Sequence, residues 1–103
     1  MIWDSSDNSD YRVASYCEWK NLEKCGTLEN KSGVYLFANS DLDIKYVGKA
    51  GPRRMADEAR DAIRRNKAYD ASLVKALYTN SNENASSLEA NLINKYDPPN
   101  NST

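Results

Sequence analysis

The chain has 103 residues, 28% of them charged and 40% hydrophobic, and a formal net charge of -1. That is ordinary globular composition, enough for one small domain with one modest core. With no histidine and only two cysteines, Cys17 and Cys25, it excludes every histidine-based triad and, unless carboxylates complete it, a Cys/His zinc site.

Acid–base chemistry therefore falls to Tyr, Lys, Asp or Glu. No apolar run approaches the roughly 18 residues of a membrane span. The N-terminus, Met1-Ile2-Trp3-Asp4-Ser5-Ser6-Asp7, is acidic and polar, unlike a secretory signal. A cytoplasmic protein with reduced cysteines and no membrane association is the expectation.

In chain order, residues 1–12 read as a loose polar arm in which Trp3 and Tyr11 are available to dock. Val13 to Leu28 predicts a short helix, because Tyr16, Trp19 and Leu22 recur at spacing three and Gly26 can stop it. Two β-type runs follow, Gly33 to Phe37 and Ile44 to Gly48, around the turn residues Asn39-Ser40-Asp41. A hairpin centred on Ser40-Asp41 would set Phe37 opposite Ile44 and Tyr35 opposite Tyr46. The two phenols, with Gly33, Gly48 and Lys49 beside them, would make a shallow polar pocket; the alternative is an aromatic pair that only stabilises the sheet.

Gly51-Pro52 breaks the chain, and Arg53 to Asn66 predicts a helix with Met55, Ala59, Ala62 and Ile63 as its apolar stripe. Arg53 and Arg54 would fall in its first turn, where they oppose the macrodipole but suit an anion site. Tyr69 to Ser81 reads as a turn of helix and then a third strand near Ala76 to Asn80. Asn82 to Tyr96 is the closing helix, with Ala85, Leu88, Leu92, Ile93 and Tyr96 on its apolar face, and Pro98-Pro99 ends it. Residues 100–103 read as a tail or a short docked segment.

Charge is unevenly spread. Residues 45–75 carry nine basic side chains (Lys45, Lys49, Arg53, Arg54, Arg60, Arg64, Arg65, Lys67, Lys75) against four acidic ones. Such a segment is either a phosphate-holding footprint or a solvated helix face. On the closing helix, Glu89 borders the apolar stripe. A carboxylate there needs an arginine, a hydrogen-bond donor or a metal ion.

Gly33-Val34-Tyr35 and Tyr46-Val47-Gly48, the latter followed by Lys49-Ala50, resemble the paired signature of the GIY-YIG nuclease family. Thr79-Asn80-Ser81, Leu88-Glu89-Ala90-Asn91-Leu92-Ile93 and Tyr96-Asp97-Pro98-Pro99-Asn100-Asn101 resemble the end of that domain in UvrC-type excinucleases. The similarity runs from Ser32 to Asn101. It implies an α+β fold, a small three-stranded antiparallel sheet flanked by helices. Residues 32–103 would form the nuclease-like domain, with residues 1–31 as an arm and short helix packed on it.

The resemblance further implies metal-dependent hydrolysis of DNA phosphodiesters. Glu89 would hold a single Mg²⁺ or Mn²⁺, Tyr35 would be the general base, Tyr46 would orient water or phosphate, and Lys49 would supply positive charge. The family's arginine lies on the first helix after the second motif. Ala56 stands at its usual spacing, so Arg54, followed by Met55, is the expected replacement, with Arg53 and Arg60 as alternatives. Glu58 occupies the position one turn later, where the family often carries His or Tyr. Arg53, Arg60, Arg64 and Asn101 are expected to contact nucleic acid, and a separate DNA-targeting protein or domain is the expected partner. The rival readings are a nuclease-like module that binds nucleic acid without cutting it, and a partner-binding domain.

Overall fold

Val34-Tyr35-Leu36-Phe37-Ala38 has no charged interruption, and a strand apolar on both faces belongs inside a sheet covered on both sides. The computed structural model, which describes residues 1–102, places it there. The remaining residue of the expected tail, Thr103, lies outside the described residues. Numbered in chain order, the strands are β1 Val13–Tyr16, β2 Lys20–Asn21, β3 Gly33–Ala38, β4 Ile44–Ala50 and β5 Leu73–Thr79; the helices are α1 Met55–Arg64 and α2 Asn82–Tyr96. All of β3 is buried. The sheet runs β1-β5-β3-β4, with β2 also on β5, so it has five strands where three were expected. Every pairing is antiparallel.

Strand alternation divides the core. Tyr35, Phe37, Ala50, Val74 and Ala76 face α1 through Met55, Ala59 and Ala62. Val34, Leu36, Ile44, Val47 and Leu77 face α2 through Leu88, Leu92 and Tyr96. Gly33 crosses β5 so closely that a β-carbon there would stand 2.2 Å from the Leu77 carbonyl oxygen.

The hairpin departs from the expected register by two residues. Tyr35 pairs with Gly48 and Phe37 with Tyr46, and the register shifts between Phe37 and Ala38, which pairs with Ile44. The cause is a bulge at Lys45 and a wider turn, closed by the Asn39 N–H on the Asp43 carbonyl at 3.1 Å. A shift of two preserves the face, so Tyr35 and Tyr46 still share it, diagonally.

Val13–Leu28 is not a helix. It forms β1, β2 and a 3₁₀ helix, Leu22–Thr27. Trp19 joins the α2-side core and Leu22 the α1-side core, so the supposed stripe serves two faces. The outer edge of β5 takes the backbone bonds instead: Cys17 N–H reaches the Ala76 carbonyl at 3.1 Å and Leu22 N–H the Ser72 carbonyl at 3.0 Å. β5 itself starts at Leu73, with no helical turn inside it, because β3 needs a partner along its whole length.

The N-terminal arm is docked as well. Trp3 N–H donates to the Leu42 carbonyl (2.8 Å), and Ile44 N–H to the Met1 carbonyl (3.0 Å). The Trp3 ring stacks on Tyr96 at 5.9 Å and meets Trp19 edge-on at 5.8 Å. Lys95 ties α2 to Asp4 and Asp7 at 2.9 and 3.0 Å. Beneath the arm, Lys75 is buried, donating to the Cys17 carbonyl at 2.8 Å with its ammonium 4.5 Å from the Tyr16 ring centre.

Candidate active site

β4 is an edge strand, and its outer side is where the signature residues gather. At its middle, the Val47 N–H donates to Asn101 Oδ1 (2.9 Å) and Asn101 Nδ2 donates back to the Val47 carbonyl (2.8 Å). One side-chain amide thus satisfies both backbone groups that a further strand would have paired. Asn101, expected on nucleic acid, is engaged in the fold.

On the α1 side, the Tyr35 ring lies across β4. A β-carbon at Gly48 would be 2.3 Å from Tyr35 Cζ, which makes this glycine a requirement of the tyrosine. Tyr35 and Tyr46 have ring centres 6.1 Å apart, tilted by 42°. The Tyr35 phenol is 2% exposed. Burial pushes its pKa far up, Tyr46 and Glu58 add to the shift, and Arg65 opposes it. Tyr46 is the more accessible phenol.

On the α2 side, Lys49 Nζ donates to Ser86 Oγ at 3.1 Å. Glu89, one turn along α2 from Ser86, is half-buried; burial raises its pKa and Lys49 opposes the rise. Among the described residues no three His, Cys, Asp or Glu side chains gather around one point. A single carboxylate suits a hard cation that keeps most of its water, as Mg²⁺ does, and does not suit zinc.

The arginines are largely committed to carboxylates. Arg54 is the N-cap of α1 rather than part of its first turn, and its guanidinium reaches Glu58 at 3.0 Å and Asp57 at 3.7 Å. Arg60 pairs with Asp57 at 3.4 Å and Arg64 with Asp61 at 2.7 Å. Arg53 is exposed, with φ 65°, in a turn closed by Arg54 N–H on the Gly51 carbonyl. The expected anion site at this helix start is partly filled, since the Ala56 N–H donates to Asn30 Oδ1 at 3.0 Å. With Lys75 buried and Lys45 paired to Asp43 and Asp70, the basic segment is in good part a laced surface.

The expected residues thus form two groups on either side of β4. Tyr35 and Tyr46, with Glu58 and Arg65 in their field, lie on the α1 side; Lys49, Ser86 and Glu89 lie on the α2 side. Tyr46 and Lys49 join them, three residues or about 10 Å apart along the strand. Ser86 was legible from its i−3 spacing to Glu89. Glu58 was legible as the residue one turn after Arg54, and Arg65 as part of the basic run, but both enter the field of the phenols only through packing; no local pattern marked Asn30.

Residues 31–102 match the family described as the UvrC-like GIY-YIG domain. Among solved structures, the GIY-YIG N-terminal endonuclease domain of UvrC from Thermotoga maritima, bound to magnesium as its catalytic divalent cation, is 27% identical. The match covers 76% of this chain and 91% of that one, with a TM-score of 0.65. Two point-mutant forms of that domain, asparagine to alanine and tyrosine to phenylalanine, each bound to the cation, match at 27% identity over 76% of this chain and 90% of theirs, with TM-scores of 0.65 and 0.64. No curated protein matches the chain.

Proposed function

The chain belongs to the UvrC-like GIY-YIG domain family, and from that premise we propose that it is a DNA endonuclease that works with one divalent cation. The observation that supports this most is the setting of Glu89, a half-buried carboxylate beside Lys49 on the strand that also carries Tyr46. Burying a carboxylate in such a place is unfavourable without a cation to meet it.

Glu89 would anchor the ion, with water completing its surroundings. When bound, Mg²⁺ or Mn²⁺ supplies charge neutralisation at the scissile phosphate and leaving oxygen. Lys49, braced by Ser86, would supply positive charge toward the same phosphate. The base role moves from Tyr35 to Tyr46. Tyr35 is too buried to take up a negative charge, whereas the more accessible Tyr46 would orient the attacking water and receive its proton. Arg54 would present its planar fork to a non-bridging oxygen after leaving Glu58, with Arg53 and Arg60 as alternates. DNA is the substrate, and a separate domain or protein would select the site.

The test is nicking of supercoiled plasmid with Mg²⁺ or Mn²⁺. Wild type should nick, and Glu89→Gln should not while still binding DNA; nicking by that variant at the wild-type rate removes the assignment. One observation favours the second reading, a module that binds nucleic acid without cutting it: Arg54 is held by Glu58. If that grip limits an active enzyme, Glu58→Ala should nick faster. If neither protein nicks under either metal, the binding module is the better account.

A further inference from the structure

At the other end of β4, a cavity of about 340 Å³ is lined by Lys45, Tyr69, Asp70, Pro99 and Asn100. It is built by deliberate features of the fold. The bulge in the hairpin falls at Lys45 and re-aims its side chain. The loop after α1 is held by Asn100, 7% exposed, whose Nδ2 donates to the carbonyls of Lys67 (2.8 Å) and Tyr69 (2.9 Å). Asn66 and Asp70 in this loop take left-handed conformations, φ 64° and 59°. This ordering presents Tyr69, 67% exposed, next to the Asp70 carboxylate. Lys45 Nζ stands 3.3 Å from Asp70 Oδ2.

An exposed aromatic ring on a fixed loop is a stacking platform for a base. Beside it, the ion pair sets a carboxylate, which accepts two hydrogen bonds, next to an ammonium, which donates. The Watson–Crick edge of guanine carries two adjacent donors, N1–H and the N2 amine, and one acceptor, O6. We infer that this cavity is a subsite for an unpaired guanine: Tyr69 stacks on the base, Asp70 accepts from N1–H and N2–H, and Lys45 donates to O6. Thymine offers a single donor and cannot satisfy the carboxylate in the same way. The neighbouring 3₁₀ turn, Pro99–Ser102, also carries Asn101, which caps β4 between this cavity and the Lys49–Glu89 end. Lys45 and Lys49 are four residues, roughly 13 Å, apart along the strand. The strand to be cut would then run along the edge of β4. The inference rests on the endonuclease reading and names what its substrate strand presents.

The experiment measures anisotropy of a labelled oligothymidine with and without one central guanine, in EDTA so that nothing is cut. Guanine should strengthen binding about tenfold, the discrimination expected of one bidentate contact. Inosine in its place, which lacks the N2 amine, should lose most of that gain. Asp70→Asn, which tolerates the left-handed backbone, should abolish the gain without weakening oligothymidine binding, since it removes a negative charge beside Lys45. Tyr69→Ala should weaken both strands, and Tyr69→Phe should restore them. No gain from guanine, or a full gain in Asp70→Asn, overturns the subsite. Plasmid nicking run in parallel separates the two claims: nicking without a guanine gain sinks the subsite alone, whereas neither nicking nor strand binding sinks both.

Discussion

Tyr35 and Gly48 are locked together across β3 and β4: a β-carbon on Gly48 would stand 2.4 Å from the Tyr35 hydroxyl oxygen. The packing of the Tyr35 phenol against β4 therefore depends on a missing side chain two residues beyond Tyr46. Gly48→Ala should destabilise the domain by about 1–3 kcal/mol, the usual penalty for overpacking, and should lower nicking. Urea unfolding of the single and double variants checks the cause. In a Tyr35→Ala background the same change should cost much less, because the clash has gone. Additive effects would disprove the coupling.

Asn101 stands in for a strand neighbour at Val47. Asn101→Ala would leave a partly buried N–H and carbonyl without their partner, a loss of about 1–3 kcal/mol. Unfolding should register it, and hydrogen exchange at the Val47 amide should quicken more than at the paired amides of β3. If stability is unchanged and only DNA affinity falls, Asn101 is a substrate contact instead.

Glu89 gives a readout independent of turnover. Its carboxylate is half-buried and disfavoured by that burial. Without metal, Glu89→Gln should be at least as stable as wild type. Mg²⁺ should raise the melting temperature of wild type only, by the equivalent of about 2.7 kcal/mol when present at a hundred times its Kd. Equal stabilisation of both proteins would place the ion elsewhere.

Asp4 holds the N-terminal arm, and its pKa is lowered to about 2, first by the Ser6 hydroxyl and then by Lys95. A carboxylate depressed in the folded state contributes stability above its unfolded pKa of 3.8. That contribution is lost as pH falls through the folded value. The arm should therefore loosen between about pH 4 and pH 2, seen as a change in tryptophan fluorescence as Trp3 leaves Tyr96 and Trp19. Asp4→Asn should lack this step and show a looser arm at neutral pH.

Local pattern alone determined the closing helix, Asn82 to Tyr96, and the hairpin with both phenols on one face. It also determined the family signature and the glutamate beside an apolar stripe. These depend on periods of two and of 3.6 residues, which survive small errors of register. A slip of two along β4 left Tyr46 on the expected face for that reason. Only the tertiary structure decided that Val13–Tyr16 would be a strand, because the hydrogen bonds that favour it come from β5, sixty residues away in the chain. It also decided that Lys75 would be buried, that Arg54 would face Glu58, and that the candidate site would straddle an edge strand with the phenols on one side and the carboxylate on the other. Each of these outcomes depends on groups brought together from distant parts of the chain. Burial, charge pairing and the satisfaction of backbone bonds are properties of that assembled neighbourhood, which no local window contains.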